Sequence, residues 1–173
     1  RVIHTTADFS YADSLCFSEH AIETAREALR QGVGIITDTN MAKAGINKSR
    51  LAAYGGEVHC FMADEDMAEE AKKRGITRAA VSMEKSAVMG ENYIYAIGNA
   101  PTALIRLYEL IQEGKVNPRL IIGVPVGFVH VVEAKELIMK ADVPYIVARG
   151  RKGGSNVAAA ICNALLYMMD DRR

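Results

Sequence analysis

The sequence has no excess of charge of either sign. Lysine plus arginine number 21 and aspartate plus glutamate number 21, so the broad basic field that a nucleic acid or a membrane surface would draw on is missing. A local basic cluster can still hold an anionic small molecule. Cysteine is scarce: Cys16, Cys60 and Cys162 are odd in number, far apart and set among apolar residues. No CxxC or Cys/His ligand spacing occurs, which points to buried thiols in a reducing cytoplasm rather than to disulfides or a metal site. No apolar run reaches the length a bilayer requires, and no signal-peptide pattern opens the chain. Internal repeats, low-complexity stretches and linker-like shifts of composition are also lacking, and the chain opens at Arg1 without an initiator methionine. What remains is 173 residues, 50% of them hydrophobic, enough for a single domain over 1–173 with a substantial core.

Five short apolar runs stand out: Gly34–Thr37, Val58–Met62, Tyr93–Ile97, Leu120–Val124 and Tyr145–Val147. They are continuous rather than alternating, as strands covered on both faces should be. Amphipathic segments separate them. Ser18 can cap a helix with Ile22, Ala25 and Leu29 on its apolar face and Gly32 as its stop, and Asp64 can cap the next, up to Gly75. Another helix runs from about Thr77 toward Met89. Pro101 opens one that ends at Gly114, and a further helix runs from about Phe128 to Lys140. The last carries Val157, Ile161 and Leu165 on one face. Such alternation predicts a three-layer α/β/α domain with a five-stranded, mainly parallel sheet, whose ligands bind at the carboxyl ends of the strands.

Three loops at that edge share a design. IGNAPT (97–102), GVPVGF (123–128) and ARGRKGGSN (148–156) each follow a strand and precede a helix. Small residues let the backbone approach a ligand, and a helix N-terminus offers free N–H groups to an anion. The third loop adds Arg149, Arg151 and Lys152, which can pair with carboxylates or phosphates. For any one loop the plain alternative is a tight turn with arginines on a solvated rim. Three together favour a polyanionic ligand. A nucleotide is a weak candidate, because neither the Walker pattern nor GxGxxG is present.

After the first clear strand, Asp38 or Thr39 can cap a short helix; alternatively Thr39 and Asn40 face the ligand as hydrogen-bond donors. Arg78 stands at a helix start, where it opposes the helix dipole and so hints at an anion nearby. Of the four histidines, His20 and His59 fall in helical and strand patterns and read as structural. His130 lies near the ligand edge. His4, in RVIHTTAD, lies outside any strand with Thr5, Thr6 and Asp8 able to orient it, and imidazole can donate a proton at cellular pH. From the residues alone, a catalyst and a helix-end histidine are equally good readings of it.

Five ordered motifs, RVIHTTADF, DTNMAKAGI, IGNAPTAL, GVPVGFV with VEAKE, and GRKGGSNVAAA, resemble those of the precorrin-8X methylmutases, over nearly the whole chain. The resemblance implies a parallel α/β fold, a cytoplasmic homodimer with active sites near its interface, and no metal or cofactor of the enzyme's own. The implied reaction moves a methyl group from C11 to C12 of a corrin precursor, a tetrapyrrole, giving hydrogenobyrinate or, with cobalt already inserted, cobyrinate. The family's catalytic histidine lies in the first motif, here His4. Thr5, Thr39, Asn40, Arg78, Asn99, Gly127, Arg151, Lys152, Gly153, Gly154 and Ser155 are the expected substrate contacts. Relatives usually begin with a further helical segment, expected to be absent here, and some carry smaller residues at the positions of His130 and Val131, on the pocket wall. Two other readings are a corrinoid-binding protein without catalysis, which would not depend on His4, and a nucleotide-dependent transferase responsive to magnesium.

Overall fold

The continuous apolar runs become strands. In a computed structural model, which describes residues 1–90 and 92–169, β1 (Leu15–Phe17), β2 (Ile35–Thr37), β3 (Val58–His59), β4 (Ile94–Ile97), β5 (Leu120–Gly123) and β6 (Tyr145–Ala148) form one sheet in the order β1-β6-β5-β4-β2-β3. All pairings are parallel except that of β1 with β6. The sheet therefore has six strands, not the expected five. β1 escapes sequence reading because it is three residues long, only partly buried, and made a strand by pairing with β6, more than 120 positions away. Ser18, expected to cap a helix, instead accepts the Tyr145 N–H through its hydroxyl at 2.9 Å and holds this antiparallel edge in place.

Ten helices among the described residues cover the sheet: α1 (Val2–Thr6), α2 (Tyr11–Ser14), α3 (Ala21–Arg30), α4 (Asn40–Gly45), α5 (Lys48–Ala52), α6 (Glu65–Arg74), α7 (Arg78–Val88), α8 (Pro101–Gln112), α9 (Val131–Lys140) and α10 (Ser155–Tyr167). Alternation along the strands feeds two cores, since successive strand residues point to opposite faces. Ile35, Ile94 and Ala96 pack with α3, α5 and α10, whereas Ile36, Tyr95 and Ile97 pack with α7, α8 and α9. α6 joins the second layer through Met67 and Ala71 against Val81. The result is the expected three-layer α/β/α sandwich.

Side-chain caps explain three of the helix starts. The hydroxyls of Thr39 and Thr77 accept the N–H groups of Ala42 and Ala80, each contributing about 1 kcal/mol. Pro101 occupies the first turn of α8, where its missing N–H costs nothing. Two starts differ from expectation. α3 begins after His20 and α9 after His130, both in the left-handed region at φ 57° and 56°, so α9 starts three residues beyond Phe128. Asp64 precedes α6 as expected, but its carboxylate pairs with Lys85 at 2.6 Å rather than capping. Only one thiol is fully buried, Cys162, pushed up to about 12 by burial; Cys16 and Cys60 are half-buried, and all three are free.

Candidate active site

The strand order reverses direction at β2. From β2 the chain moves outward to β3, then crosses back to β4, β5 and β6, so the carboxyl ends of β2 and β4 flank the topological switch point where ligands bind in such folds. Asp38, directly after β2, is fully buried there. Its carboxylate accepts the N–H groups of Gly98 (2.9 Å), Asn99 (2.8 Å) and Ala100 (2.6 Å). Burial pushes this carboxyl above its ordinary range, and the three N–H donors oppose that rise. The IGNAPT loop thus does not offer these N–H groups to a ligand, because the protein supplies the anion itself. In the sequence Asp38 stands only as a helix-cap candidate, and no local signal announces partners sixty positions away.

Close backbone approach joins the remaining loops. The Thr39 hydroxyl, besides capping α4, lies 2.7 Å from that of Ser155. A Cβ on Gly98 would stand 2.7 Å from the Gly154 carbonyl oxygen, and one on Gly153 would stand 2.0 Å from the Val124 carbonyl oxygen. Only glycine permits either approach. Gly127 N–H donates to the Arg151 carbonyl (3.1 Å) and Gly154 N–H to that of Val124 (2.9 Å). Asn40 and Asn99 are exposed on this rim. Arg78, exposed at the start of α7, is brought to the first turn of α8 by the Thr77–Thr102 hydroxyl contact of 2.8 Å.

Of the three loops expected to present an open helix N-terminus, the second and the third lead into helices that no side chain caps. No side chain caps α10, so the N–H groups of Ser155, Asn156 and Val157 lack an intrahelical acceptor. Arg149 and Arg151 are exposed beside them. Lys152 is engaged: its ammonium pairs with Asp8 (2.6 Å) and receives the Ser10 hydroxyl as an acceptor (3.0 Å). Hydrogen bonds from Lys152 and then Ser10 hold the Asp8 carboxyl down at about 2. That ion pair ties the segment after α1 to the basic loop. His4 and Thr5 are exposed on α1, with His4 four positions before Asp8. The expected orienting groups act elsewhere: Thr6 donates to the Val2 carbonyl and accepts the Asp8 N–H, and Asp8 serves Lys152. His130 is exposed at the start of α9. His59 lies half-buried against Phe61, and His20 is exposed near Glu19.

Apolar side chains border these polar groups. Phe9, between the two partners of Lys152, is 80% exposed, Phe128 86% and Val129 72%. A rim combining a cationic loop, an uncapped helix end and exposed aromatic faces suits a large flat molecule edged with carboxylates. Residues 1–168 match the family described as precorrin-8X methylmutase. The chain belongs to that family. Cobalt-precorrin-8 methylmutase of Salmonella typhimurium is 49% identical over 168 residues, spanning 96% of this chain and 78% of the relative. The protein of the same name from Priestia megaterium is 45% identical over 170 residues, covering 98% and 76%. Among solved structures, precorrin-8X methylmutase of Thermus thermophilus superposes with a TM-score of 0.89 at 38% identity, covering 97% of this chain and 82% of that one. Membership makes the chain an isomerase of cobalamin biosynthesis. Among the described residues, no helix is long and apolar enough to cross a membrane.

Proposed function

We propose that the protein moves a methyl group from C11 to C12 of precorrin-8X or its cobalt form, giving hydrogenobyrinate or cobyrinate. The Asp8–Lys152 pair carries this reading, because it ties the helix bearing His4 to the loop that opens onto the uncapped end of α10. In this account the acetate and propionate edges of the macrocycle meet Arg151, Lys152, Gly153, Gly154 and Ser155 on one side. Thr39, Asn40, Arg78, Asn99 and Gly127 meet them on the other, and Thr5 beside His4. The rigid ring is thereby held in one orientation, and orientation is the larger part of what an intramolecular shift needs. His4 delivers a proton to the conjugated system, which favours the 1,5-sigmatropic shift, and donors already set in place stabilise the redistributed charge. The enzyme works as one unit over 1–173, as a homodimer in the cytoplasm, without a metal or cofactor of its own.

The test is His4→Ala. General-acid contributions are about 10²–10⁴-fold, so turnover followed by visible absorbance should fall by that order. Affinity for hydrogenobyrinate should hold, because a proton donor acts mainly in the transition state. Near-normal turnover in the variant would sink the mechanism and leave a corrinoid-binding protein as the better account.

A further inference from the structure

Lys135, in the middle of α9, is 1% exposed. A buried ammonium is costly unless it is paired, yet no carboxylate among the described residues pairs with it. Its Nζ donates instead to two backbone carbonyls of the β6–α10 loop, Gly150 at 2.7 Å and Lys152 at 2.8 Å. Burial alone draws its pKa down to about 8. An apolar side chain of similar length would fill the same space without a desolvated charge. The charge therefore has a role that packing does not supply.

Peptide geometry supplies the role. In a trans peptide the carbonyl of one residue and the N–H of the next point in opposite directions, and the described chain has no cis bonds. Turning the Gly150 and Lys152 carbonyls inward onto Lys135 turns the N–H groups of Arg151 and Gly153 outward. Neither N–H has an acceptor among the described residues. Both belong to the loop that carries Arg151 and leads into the uncapped end of α10. Two outward N–H groups on one loop can cradle an anion between them, and a positive charge lies directly behind it.

We infer that Lys135 is a positioning residue that sets the Gly150–Gly153 backbone to receive a carboxylate of the substrate. The inference rests on the functional reading above and extends it to a residue that never touches the macrocycle. Loss of the ammonium frees both carbonyls, lets the two peptides turn, and removes the charge behind the cradle. The reacting carbons are untouched, so the effect falls on binding rather than on the chemical step.

The test compares Lys135→Met, Lys135→Arg and, as a control for net charge, the exposed Lys140→Met. Hydrogenobyrinate titrated against Lys135→Met should bind at least about tenfold more weakly, with KM raised by a similar factor and kcat within about twofold. Lys135→Arg, which keeps the charge and the donors, should restore part of the affinity, and Lys140→Met should match the wild type. In the free protein, the backbone amide resonances of Arg151 and Gly153 should shift in Lys135→Met while those of β2 and β4 stay in place. Wild-type affinity in a folded Lys135→Met protein, or unmoved Arg151 and Gly153 resonances, would overturn the inference. A wild type that neither binds hydrogenobyrinate nor turns over precorrin-8X would instead overturn the functional reading, and the amide resonances would still decide the role of Lys135 in setting the loop.

Discussion

Two buried charges of opposite sign brace the ligand edge, each by gripping backbone. Asp38 holds three N–H groups at the start of α8, and Lys135 holds two carbonyls of the β6–α10 loop. Asp38→Asn replaces one acceptor oxygen by an amide NH2, which must then face at least one of the N–H donors. Leaving a buried donor unsatisfied costs about 1–3 kcal/mol, so the urea midpoint should drop by an equivalent amount and turnover should fall with the displaced Asn99 loop. An unchanged midpoint would show that the loop does not depend on these bonds. Lys135 has a different signature in pH. Its ordinary value is 10.5 and burial lowers it to about 8 in the folded chain. Between those values the unfolded chain keeps a proton that the folded chain has lost, so stability rises with pH across the window, and the penalty of burying the charge is fully present below it. Lys135→Met has no such group. The stability of wild type minus that of Lys135→Met should therefore climb by up to about 3 kcal/mol between pH 8 and 10.5. A flat difference across denaturation curves in that range would mean that the folded chain does not desolvate the ammonium.

At the scale of elements, the sequence disclosed what is local and missed what is made by distant partners. Runs such as Leu120–Gly123 are apolar at every position because both faces of the strand are buried, and that is visible in one sequence. Pro101, Thr39 and Thr77 mark helix starts by local chemistry and stand where expected. β1 and the duties of Asp38 and Lys152 depend on residues far along the chain, so no local pattern announces them. The glycines show the same division. Gly114 ends α8 in the left-handed region at φ 67° with nothing within 4 Å of an added Cβ, a role readable from its place after a helical stretch. Gly153 is glycine because the Val124 carbonyl of the neighbouring loop passes so close. Gly114→Ala should thus cost only the left-handed strain, about 1–2 kcal/mol. Gly153→Ala must push two loops apart and should cost about 3 kcal/mol or more. Thermal unfolding of the two variants checks the order, and equal losses would contradict the close approach.

For the molecule as a whole, the unexplained surface is the apolar rim. Phe9, Met41, Phe128 and Val129 are each at least 70% exposed and come from two loops and the first turn of α4, which meet at one edge of the sheet. Scattered apolar residues on a surface need no explanation, but a cluster around a site marks something that covers it. A macrocycle gripped by its carboxylate edges covers part of such a rim, and a second copy of the chain is the expected cover for the rest. Zero formal net charge places no electrostatic barrier between copies. Sedimentation velocity should accordingly show a species of twice 18.8 kDa. Phe128→Glu combined with Val129→Glu should shift it toward the monomer, since burying two carboxylates in an interface costs several kcal/mol each. Turnover should fall in parallel with the dimer fraction if the active sites lie near the interface. A wild type that stays monomeric at every concentration would rule out the dimer. A double variant that stays dimeric but binds hydrogenobyrinate poorly would assign Phe128 and Val129 to the macrocycle instead.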